Sequence, residues 1–373
     1  MFKILLTNGA YKQTLAIARS LGAAGYKVGI VSHHALSVGF FSKYCRYRHI
    51  ISETNDKSKY VEQLLDILKK QKYDIVLPVG YPVTGWLAER ADDIRVFSKL
   101  PLADVSAFKI FENKQLTHDF AKQLNIPVPK TFAPKTLFEA TECLNQLAFP
   151  IVFKKITEGK NHIEYAHNQE TFFQYFNEFQ ATEEGFVVQE FISGQGAGYF
   201  ALYDSGVLKQ DFMHLRLREY PIEGGAACFA ESIDNEQLRL FGERILAAIQ
   251  WHGVAMVEFK FDAKGEPRLI EVNPKFWGSY DLCVAADADF AVPLIQLTLS
   301  PLPLPPPQYK RGLRFSWLMN GDLLNGIQRG KIREILTDFF KKQTYSNLDW
   351  RDPLATLFLI LSGFFPVFKS IYT

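Results

Sequence analysis

The stretch that most constrains this chain is residues 253–279, which read GVAMVEFKFDAKGEPRLIEVNPKFWGS. Two runs of alternating apolar and polar residues flank Lys264-Gly265, a pattern that predicts a β-hairpin. If the two strands pair across those residues, or across a four-residue loop 263–266, Glu258 lies opposite Glu271. A three-residue loop would break this register.

The predicted hairpin carries oxygen-bearing side chains on one face, because Asn273 follows Glu271 by two residues. Two opposed carboxylates destabilise a hairpin unless a cation lies between them. An all-oxygen set suits Mg2+, with Mn2+ as the alternative ion, and substrate phosphates usually complete such a site. We therefore predict a metal site at Glu258, Glu271 and Asn273. The alternative is an exposed hairpin whose polar face is only hydrated.

The run Leu269-Ile270-Glu271-Val272-Asn273-Pro274-Lys275-Phe276-Trp277-Gly278-Ser279, preceded by Glu258-Phe259, resembles the metal-binding signature of ATP-grasp ligases. Within that superfamily it is most similar to the branch of the carbamoyl-phosphate synthase large subunit. The resemblance implies that Glu258, Glu271 and Asn273 hold Mg2+ on ATP. It also implies that Lys275, where the family usually has Arg, faces the transferring phosphoryl group. Lysine keeps the charge but lacks the planar fork of arginine.

Two further lysines match nucleotide-contacting positions of the family. Lys114 lies in a helix predicted over residues 108–124, before an Ile-Pro-Val-Pro turn, and Lys154 ends an apolar strand predicted within 149–155. A strand end beside a cleft is a rigid place for a charge that contacts phosphate. The resemblance implies that both lysines bind ATP.

The apolar stretch 186–194 predicts another strand, which leads into a turn. It matches the adenine hinge of the family, so the resemblance implies that Glu190, Phe191 and Ile192 frame the base. The family often has an acid shortly afterwards for the ribose. Here Gln195 is the nearest polar candidate for that contact.

Residues 157–162 occupy the place of the phosphate-covering loop and contain one glycine, Gly159. Backbone N–H groups of several glycines normally approach phosphate in such a loop. Lys155, Lys160 and His162 add cations instead, so either side chains replace the backbone amides or the site is degenerate.

An alternating segment follows in which His214, Arg216 and Arg218 are predicted to share one strand face. This face is either a solvated sheet surface or an anion site. Under the second interpretation, Arg218 is the predicted catalytic cation, and Glu231 lies in the loop over the acceptor site.

The chain opens with a βαβ pattern: strands near 3–7 and 27–31 enclose a helix near 14–24, without a GxGxxG motif. The predicted fold class is α/β, α+β in the ATP-binding part, with an open Rossmann-like domain followed by an ATP-grasp fold of two α+β subdomains. The predicted units are 1–105, 106–300 with a mobile lid at about 130–188, and 301–373. The last unit has a Pro-rich linker at 302–307 and one basic helix at 323–342.

Composition excludes some partners and compartments. Lys and Arg number 42 against 40 Asp and Glu, so no nucleic-acid surface is expected. Four scattered cysteines predict a reducing, cytoplasmic location, and the N-terminus shows no signal-peptide pattern. The apolar run 354–368 is shorter than the ~20 residues a spanning helix needs. It predicts a docked C-terminal helix, with a membrane-surface or partner contact as the alternative.

Together these features predict an ATP-dependent ligase. A small-molecule carboxylate would be activated as an acyl phosphate and transferred to an amine or a thiol, with release of ADP and phosphate. The sequence is compatible with both a monomer and a homodimer. The alternatives are a phosphotransferase that uses the same nucleotide site and a non-catalytic ATP-binding protein.

Overall fold

A computed structural model of the chain describes residues 1–157, 163–182, 185–300 and 308–364. Gly159, Lys160 and His162 of the predicted phosphate-covering loop lie outside the described residues. The Pro-rich linker and the last nine residues of the chain also lie outside them.

The N-terminal unit contains a four-stranded sheet in the order β3-β2-β1-β4, in which all neighbours are parallel. Apolar side chains bury both faces of this sheet, as a parallel sheet covered by helices requires. The predicted α/β opening is therefore confirmed. Its elements are β1 Lys3–Leu6, α1 Lys12–Ala23, β2 Lys27–Ser32, β3 Cys45–Ile50, α2 Lys57–Lys70, β4 Ile75–Leu77, α3 Val83–Glu89 and α4 Ala91–Arg95.

A smaller antiparallel sheet follows, in the order β5-β8-β6-β7. Two helices cover it, and phenylalanines such as Phe153, Phe172 and Phe186 fill the core between them. This sheet falls on the segment predicted as a lid, and we call it the lid sheet. Its elements are β5 Thr131–Phe132, α7 Leu137–Gln146, β6 Ile151–Lys155, β7 Ile163–Ala166, α8 Gln169–Gln180 and β8 Phe186–Glu190.

The largest sheet has seven strands in the order β13-β12-β9-β10-β11-β14-β15, and we call it the central sheet. Its first five strands pair antiparallel, and α9 packs against it. The α/β and α+β parts thus appear in the expected order. The elements are β9 Gly196–Asp204, β10 Val207–Tyr220, β11 Ala226–Ile233, α9 Glu236–Ala248, β12 Gly253–Phe261, β13 Pro267–Asn273, α10 Tyr280–Ala285 and α11 Ala291–Leu299.

Residues after the linker complete the central sheet instead of forming a separate tail. β14 pairs antiparallel with β11, and β15 pairs parallel with β14. The single helix predicted over 323–342 is wrong: two helices replace it. They are separated near Gly330, whose φ of 67° lies in the left-handed region that favours glycine. The elements are β14 Arg314–Ser316, α12 Asp322–Gln328, α13 Ile332–Phe339, β15 Thr344–Ser346 and α14 Pro353–Phe364.

The single helix predicted over 108–124 is also wrong, and the break positions Lys114. The chain forms α5 Val105–Glu112 and α6 Lys114–Gln123, separated by an extended Asn113. The Asn113 side chain accepts a hydrogen bond from the backbone N–H of Leu116 and caps α6. The N–H of Lys114 donates to the carbonyl of Ile156 at 2.9 Å. Lys114 thus begins a helix and is tied to the end of β6.

The hairpin of β12 and β13 has the predicted pairing of Glu258 with Glu271, although its loop differs. The N–H of Asp262 donates to the carbonyl of Glu266, so three residues form the loop. A β-bulge between the Glu258 and Phe259 pairs then inserts one residue on β13. This bulge restores the register that a three-residue loop would otherwise break.

The predicted docked C-terminal helix is present as α14. Its Ala355, Phe358 and Leu359 are buried with Leu15 and Val38 of the N-terminal unit. None of the described helices has the length and apolar character needed to cross a bilayer.

The expectation that Arg216 and Arg218 share one strand face is wrong, because β10 is irregular at Leu217. Arg216 pairs with Ala230 and Arg218 with the next residue back, Phe229, so β10 bulges between them. The guanidinium of Arg218 then donates to Asp322 at 2.7 and 3.1 Å and to Asp338 at 2.6 Å. It serves as the counter-ion of two C-terminal carboxylates.

We predict that Arg218→Ala lowers the free energy of unfolding by about 3–5 kcal/mol, because Asp322 is fully buried and would lose its counter-ion. Urea denaturation followed by circular dichroism measures this loss. The control is Arg314→Ala, which breaks a partly exposed pair with Glu231 and should cost about 0–1 kcal/mol. Equal losses in the two variants would contradict the structural role of Arg218.

Candidate active site

A cleft of about 290 Å³ lies where the N-terminal unit, the lid sheet and the central sheet meet. Gln13 comes from the first turn of α1, and Lys154 comes from β6 of the lid sheet. The hairpin of β12 and β13 forms the floor with Glu258 and Glu271. The three units therefore contribute side chains to one site.

Each of the two opposed carboxylates has its own cation. The Glu258 Oε2 atom lies 2.5 Å from Nη2 of Arg216, and the Glu271 Oε2 atom lies 3.5 Å from Nζ of Lys114. The Asn273 amide donates to Glu271 Oε1 at 3.0 Å, and Lys275 Nζ donates to Asn273 Oδ1 at 3.0 Å. The cations reduce the repulsion that the cross-strand pairing of two carboxylates creates.

The two carboxylates differ in electrostatic environment. Burial raises the pKa of Glu258, and Arg216 opposes this shift. Burial also raises the pKa of Glu271, but the charges of Lys114 and Lys154 outweigh burial and lower this pKa to about 2. Glu271 is therefore a carboxylate at any physiological pH, in the form that binds a cation.

Lys154 is held by a chain of polar side chains from the lid sheet. Its Nζ donates to Gln189 Oε1 at 3.1 Å, and Gln189 Nε2 donates to Thr131 Oγ1 at 2.9 Å. Buried His118 contacts Thr131 Oγ1 through Nδ1, and its Nε2 lies 2.8 Å from the carbonyl oxygen of Ile270 beside Glu271. Burial lowers the pKa of Lys154 to about 8, and Glu271 opposes this shift. Desolvation makes the ammonium a strong partner for an anion.

The predicted hinge segment lies on the cleft wall. Glu190 Oε2 accepts a hydrogen bond from the N–H of Lys130. This bond connects the residue before β5 with the last residue of β8, where the chain enters and leaves the lid sheet. Lys260 Nζ donates to the carbonyl of Ile192 at 3.4 Å and lies 5.5 Å from the centre of the Phe191 ring. Apolar rings beside backbone polar groups are typical of small-molecule sites.

Arg216 reaches Glu258 across an intervening strand, because β9 lies between β10 and β12. Gly198 of β9 pairs with Glu258, and Gly196 lies two residues earlier on the same strand. A Cβ atom added to Gly196 would lie 2.8 Å from Cδ of Arg216 and 2.8 Å from an Oε atom of Glu219. Gly196 therefore leaves the space through which the guanidinium passes.

Ser279 and His214 form a polar pair at the other end of the floor. The Ser279 hydroxyl lines the cleft and lies 2.8 Å from Nε2 of His214. Burial, reinforced by Arg216, lowers the pKa of His214 to about 3. The ring is therefore neutral, and it holds the Ser279 hydroxyl in one orientation.

Most of the predicted site residues are brought together in this cleft. The residues in its lining are Lys114, Lys154, Glu190, Phe191, Ile192, Glu258, Glu271, Asn273 and Lys275. Arg218 lies outside the cleft, because its guanidinium binds Asp322 and Asp338. Gln195 is exposed and outside the lining, and its amide donates weakly to the carbonyl of Arg216 at 3.5 Å. Glu231 is also outside and pairs with Arg314.

Sequence reasoning included Arg216 in the anion-site interpretation but did not connect it with Glu258, and it gave Ser279 no role. It missed Lys260 and Gln13 as cleft residues. The Gly196-Ala197-Gly198 segment was the available signal for Arg216, since glycines inside a strand often mark a close approach. Lys260 follows Glu258 by two residues on the same strand, so the alternation of side chains places both on one face of the hairpin. Gln13 has no comparable local signal.

The donor chemistry of the cleft fits a hard divalent cation that is shared with phosphate. Glu258, Glu271 and Asn273 offer only oxygen donors, as Mg2+ prefers. Among the described residues, no three His, Cys, Asp or Glu side chains cluster into a self-sufficient metal site.

We predict that Gly196→Ala costs about 1–3 kcal/mol of stability, because Arg216 must leave its position. In an Arg216→Met background the same change should cost about 1 kcal/mol less, since contacting residues couple. A double-mutant cycle from urea denaturation measures this coupling. The control is Gly278→Ala, whose Cβ would meet only Lys12 Cε at 3.4 Å. Additive losses for Gly196 and Arg216 would contradict the spacing role of the glycine.

No family model matches the chain. The carbamoyl phosphate synthase large chain of Methanothermobacter thermautotrophicus is 25% identical over 245 residues, which cover 58% of this chain. This chain spans about a fifth (22%) of the length of the curated relatives it matches.

Solved structures share the fold at low sequence identity. The biotin carboxylase domain dimer of Hydrogenobacter thermophilus 2-oxoglutarate carboxylase, in complex with MgADP, ADP and bicarbonate, has a TM-score of 0.68 at 16% identity. The match covers 84% of this chain and 73% of that one. The L-amino acid ligase of Bacillus licheniformis has a TM-score of 0.65 at 17% identity, with coverage of 81% and 75%. The chain therefore has the ATP-grasp fold and is a distant homologue of the carbamoyl phosphate synthase large chain.

Proposed function

We propose that this protein is an ATP-dependent ligase that converts a small-molecule carboxylate into an acyl phosphate and transfers the acyl group to an amine or a thiol. ADP and phosphate are the other products. One observation carries the proposal: two opposed carboxylates, Glu258 and Glu271, lie in a cleft beside four cationic side chains. Those cations are Lys114, Lys154, Arg216 and Lys275. Such a site neutralises a polyphosphate and offers oxygen donors to its metal ion.

The nucleotide would lie between the lid sheet and the central sheet. Lys114 and Lys154 reach the cleft from α6 and β6, and both are held in place by contacts to other elements. They would bind phosphate oxygens of ATP. Glu190 already uses a side-chain oxygen to bind Lys130, so the hinge would recognise the adenine edge through backbone groups near Phe191 and Ile192.

The opposite end of the floor would hold the reacting groups. Lys275 and Arg216 would stabilise the negative charge that spreads over the transferring phosphoryl group. The Ser279 hydroxyl, held by neutral His214, would orient the substrate carboxylate for in-line attack on the γ-phosphorus. The amine or thiol then attacks the acyl carbon, and phosphate leaves.

Mg2+, or Mn2+ in its place, would be held by Glu258, Glu271 and Asn273 and would supply charge neutralisation of the ATP phosphates. The names of the relatives support this class, because they describe a synthase, a carboxylase domain and an amino acid ligase. The small-molecule substrates and any dimer of this chain are part of the proposal.

The experiment that tests the proposal combines ATP, Mg2+ and pools of small carboxylates, with and without hydroxylamine. A ligase forms ADP, and hydroxylamine traps the acyl phosphate as a hydroxamate detectable by mass spectrometry. A phosphotransferase forms ADP and a stable phosphorylated product but no hydroxamate. A non-catalytic ATP-binding protein forms no ADP with any pool, and either of the last two outcomes overturns the ligase proposal.

We predict that Glu271→Gln lowers Mg2+-dependent ADP formation by about 100-fold or more, because it removes a charged oxygen donor from the metal site. Steady-state ADP release measures the change. Glu266→Gln, an exposed residue directly after the loop of the same hairpin, is the control and should leave the rate unaffected. Wild-type ADP formation by Glu271→Gln would exclude the metal assignment.

We predict that Lys154→Met weakens ATP binding by about 10–100-fold, since a charge-assisted hydrogen bond to phosphate contributes roughly 1.5–3 kcal/mol. Calorimetric titration with Mg-ATP gives the dissociation constant. Lys122→Met removes a surface lysine paired with Asp119 and should not change it. An unchanged constant in Lys154→Met would remove this lysine from the nucleotide site.

A further inference from the structure

Both carboxylates proposed to hold the metal ion are already bound by cations of the chain itself. Arg216 Nη2 lies 2.5 Å from Glu258 Oε2, and Lys114 Nζ lies 3.5 Å from Glu271 Oε2. A divalent cation would be coordinated by oxygen atoms of the same two carboxylates. It therefore has to compete with side chains that already contact these oxygens.

The ion pair of Arg216 with Glu258 is the stronger competitor of the two. Its contact is the shorter one, and the side chains of Arg216 and Glu258 are only 9% and 15% exposed. Charges attract more strongly where water is excluded, so a hydrated ion is a weak competitor for this guanidinium. Mg2+ also gives up its water shell reluctantly, which further disfavours exchange with a buried arginine.

Arg216 has a second carboxylate partner that does not belong to the proposed metal site. Its Nη1 donates to Glu219 Oε1 at 3.3 Å, so the guanidinium contacts both Glu219 and Glu258. Glu219 is fixed through its backbone, because its carbonyl accepts a hydrogen bond from Asn325 Nδ2 at 2.8 Å. Arg216 can therefore leave Glu258 and keep a charged partner inside the protein.

Lys114 has no such alternative within the described part of the chain. Glu271 is the carboxylate that its ammonium contacts, and the backbone N–H of Lys114 is hydrogen-bonded to the carbonyl of Ile156. Of the two competing cations, Arg216 is thus the one whose partners allow two positions.

The charge of the cleft favours a nucleotide and disfavours a free metal ion. Among its described lining residues, six Lys and Arg side chains stand against four Glu side chains. A surface with excess positive charge attracts a polyphosphate and repels a divalent cation. Phosphate offers a guanidinium the same two-pronged hydrogen bonding as a carboxylate, so it can replace Glu258 as the partner of Arg216.

We propose that Arg216 makes metal binding conditional on the nucleotide, because its guanidinium competes with a free divalent cation for Glu258. When nucleotide phosphates enter the cleft, they and Glu219 take over the guanidinium and leave Glu258 to the metal ion that accompanies ATP. The cleft therefore selects a metal–nucleotide complex over the ion alone. The inference rests on the nucleotide and metal site of the proposed function and is independent of the acyl and amine substrates.

The test uses the full chain and Mn2+, whose electron paramagnetic resonance signal measures the concentration of the free ion. We expect weak binding of Mn2+ alone to the wild type. The preformed complex of Mn2+ with adenylyl imidodiphosphate, an ATP analogue that resists hydrolysis, should bind about 100-fold more tightly or better by calorimetry.

Arg216→Met should raise the affinity for Mn2+ alone by about ten-fold or more, because Glu258 is left as a buried charge without its cation. Lys260→Met is the matched control. It removes one positive charge from the same face of the hairpin, but the Lys260 ammonium donates to the carbonyl of Ile192 and not to a metal donor. Its effect on the Mn2+ affinity should stay below about three-fold.

Gly196→Ala tests the same contact without a change in charge. The added Cβ would lie 2.8 Å from Arg216 Cδ and would move the guanidinium away from Glu258. The affinity for Mn2+ alone should then rise about five-fold or more. The control is Gly278→Ala, whose Cβ would meet Lys12 Cε at 3.4 Å and which should keep the wild-type affinity. Circular dichroism checks the fold of each variant, and Gly196→Ala decides if Arg216→Met does not fold.

Tight binding of Mn2+ alone by the wild type overturns the inference and leaves the proposed function intact. The inference also fails if the Mn2+ affinity is unchanged in Arg216→Met or in a folded Gly196→Ala, or if Lys260→Met raises it equally. If the wild type binds neither Mn2+ nor the analogue complex, the nucleotide site of the proposed function fails, and the inference fails with it.

Discussion

The opposition of Glu258 and Glu271 on one hairpin is the constraint on which the rest of the cleft depends. Two partly buried carboxylates in direct cross-strand pairing are unfavourable without compensation. The compensating cations come from distant parts of the chain: Arg216 from β10 and Lys114 from α6. Because Lys114 is also hydrogen-bonded to Ile156 at the end of β6, the hairpin charges connect the central sheet with the lid sheet.

Gly196 in β9 makes the ion pair between Arg216 and Glu258 geometrically possible. The strand separates Arg216 from Glu258, and any side chain at Gly196 would occupy the path of the guanidinium. Arg216 and Glu258 stand on strands that are not neighbours, so their contact has to cross β9. The absence of a Cβ atom therefore has an electrostatic consequence as well as a conformational one.

A bulge divides β10 into a part that belongs to the cleft and a part that belongs to the C-terminal region. Before Leu217, His214 contacts Ser279 and Arg216 binds Glu258, both on the floor of the cleft. After it, Arg218 neutralises carboxylates of α12 and α13. The same strand thus supports the site and ties the residues after the Pro-rich linker to the central sheet.

Local sequence patterns determined the hairpin, the pairing of its two glutamates and the strand–helix order of the first domain, because these depend on side-chain periodicity and neighbouring segments. The resemblance in residues 258–279 indicated the fold, and nine of its predicted site residues line one cleft. Only the tertiary structure decided that Arg216 and not Arg218 reaches the cleft, and that β14 completes the central sheet. A bulge and a pairing between distant strands depend on contacts far apart in sequence, and no local periodicity encodes them.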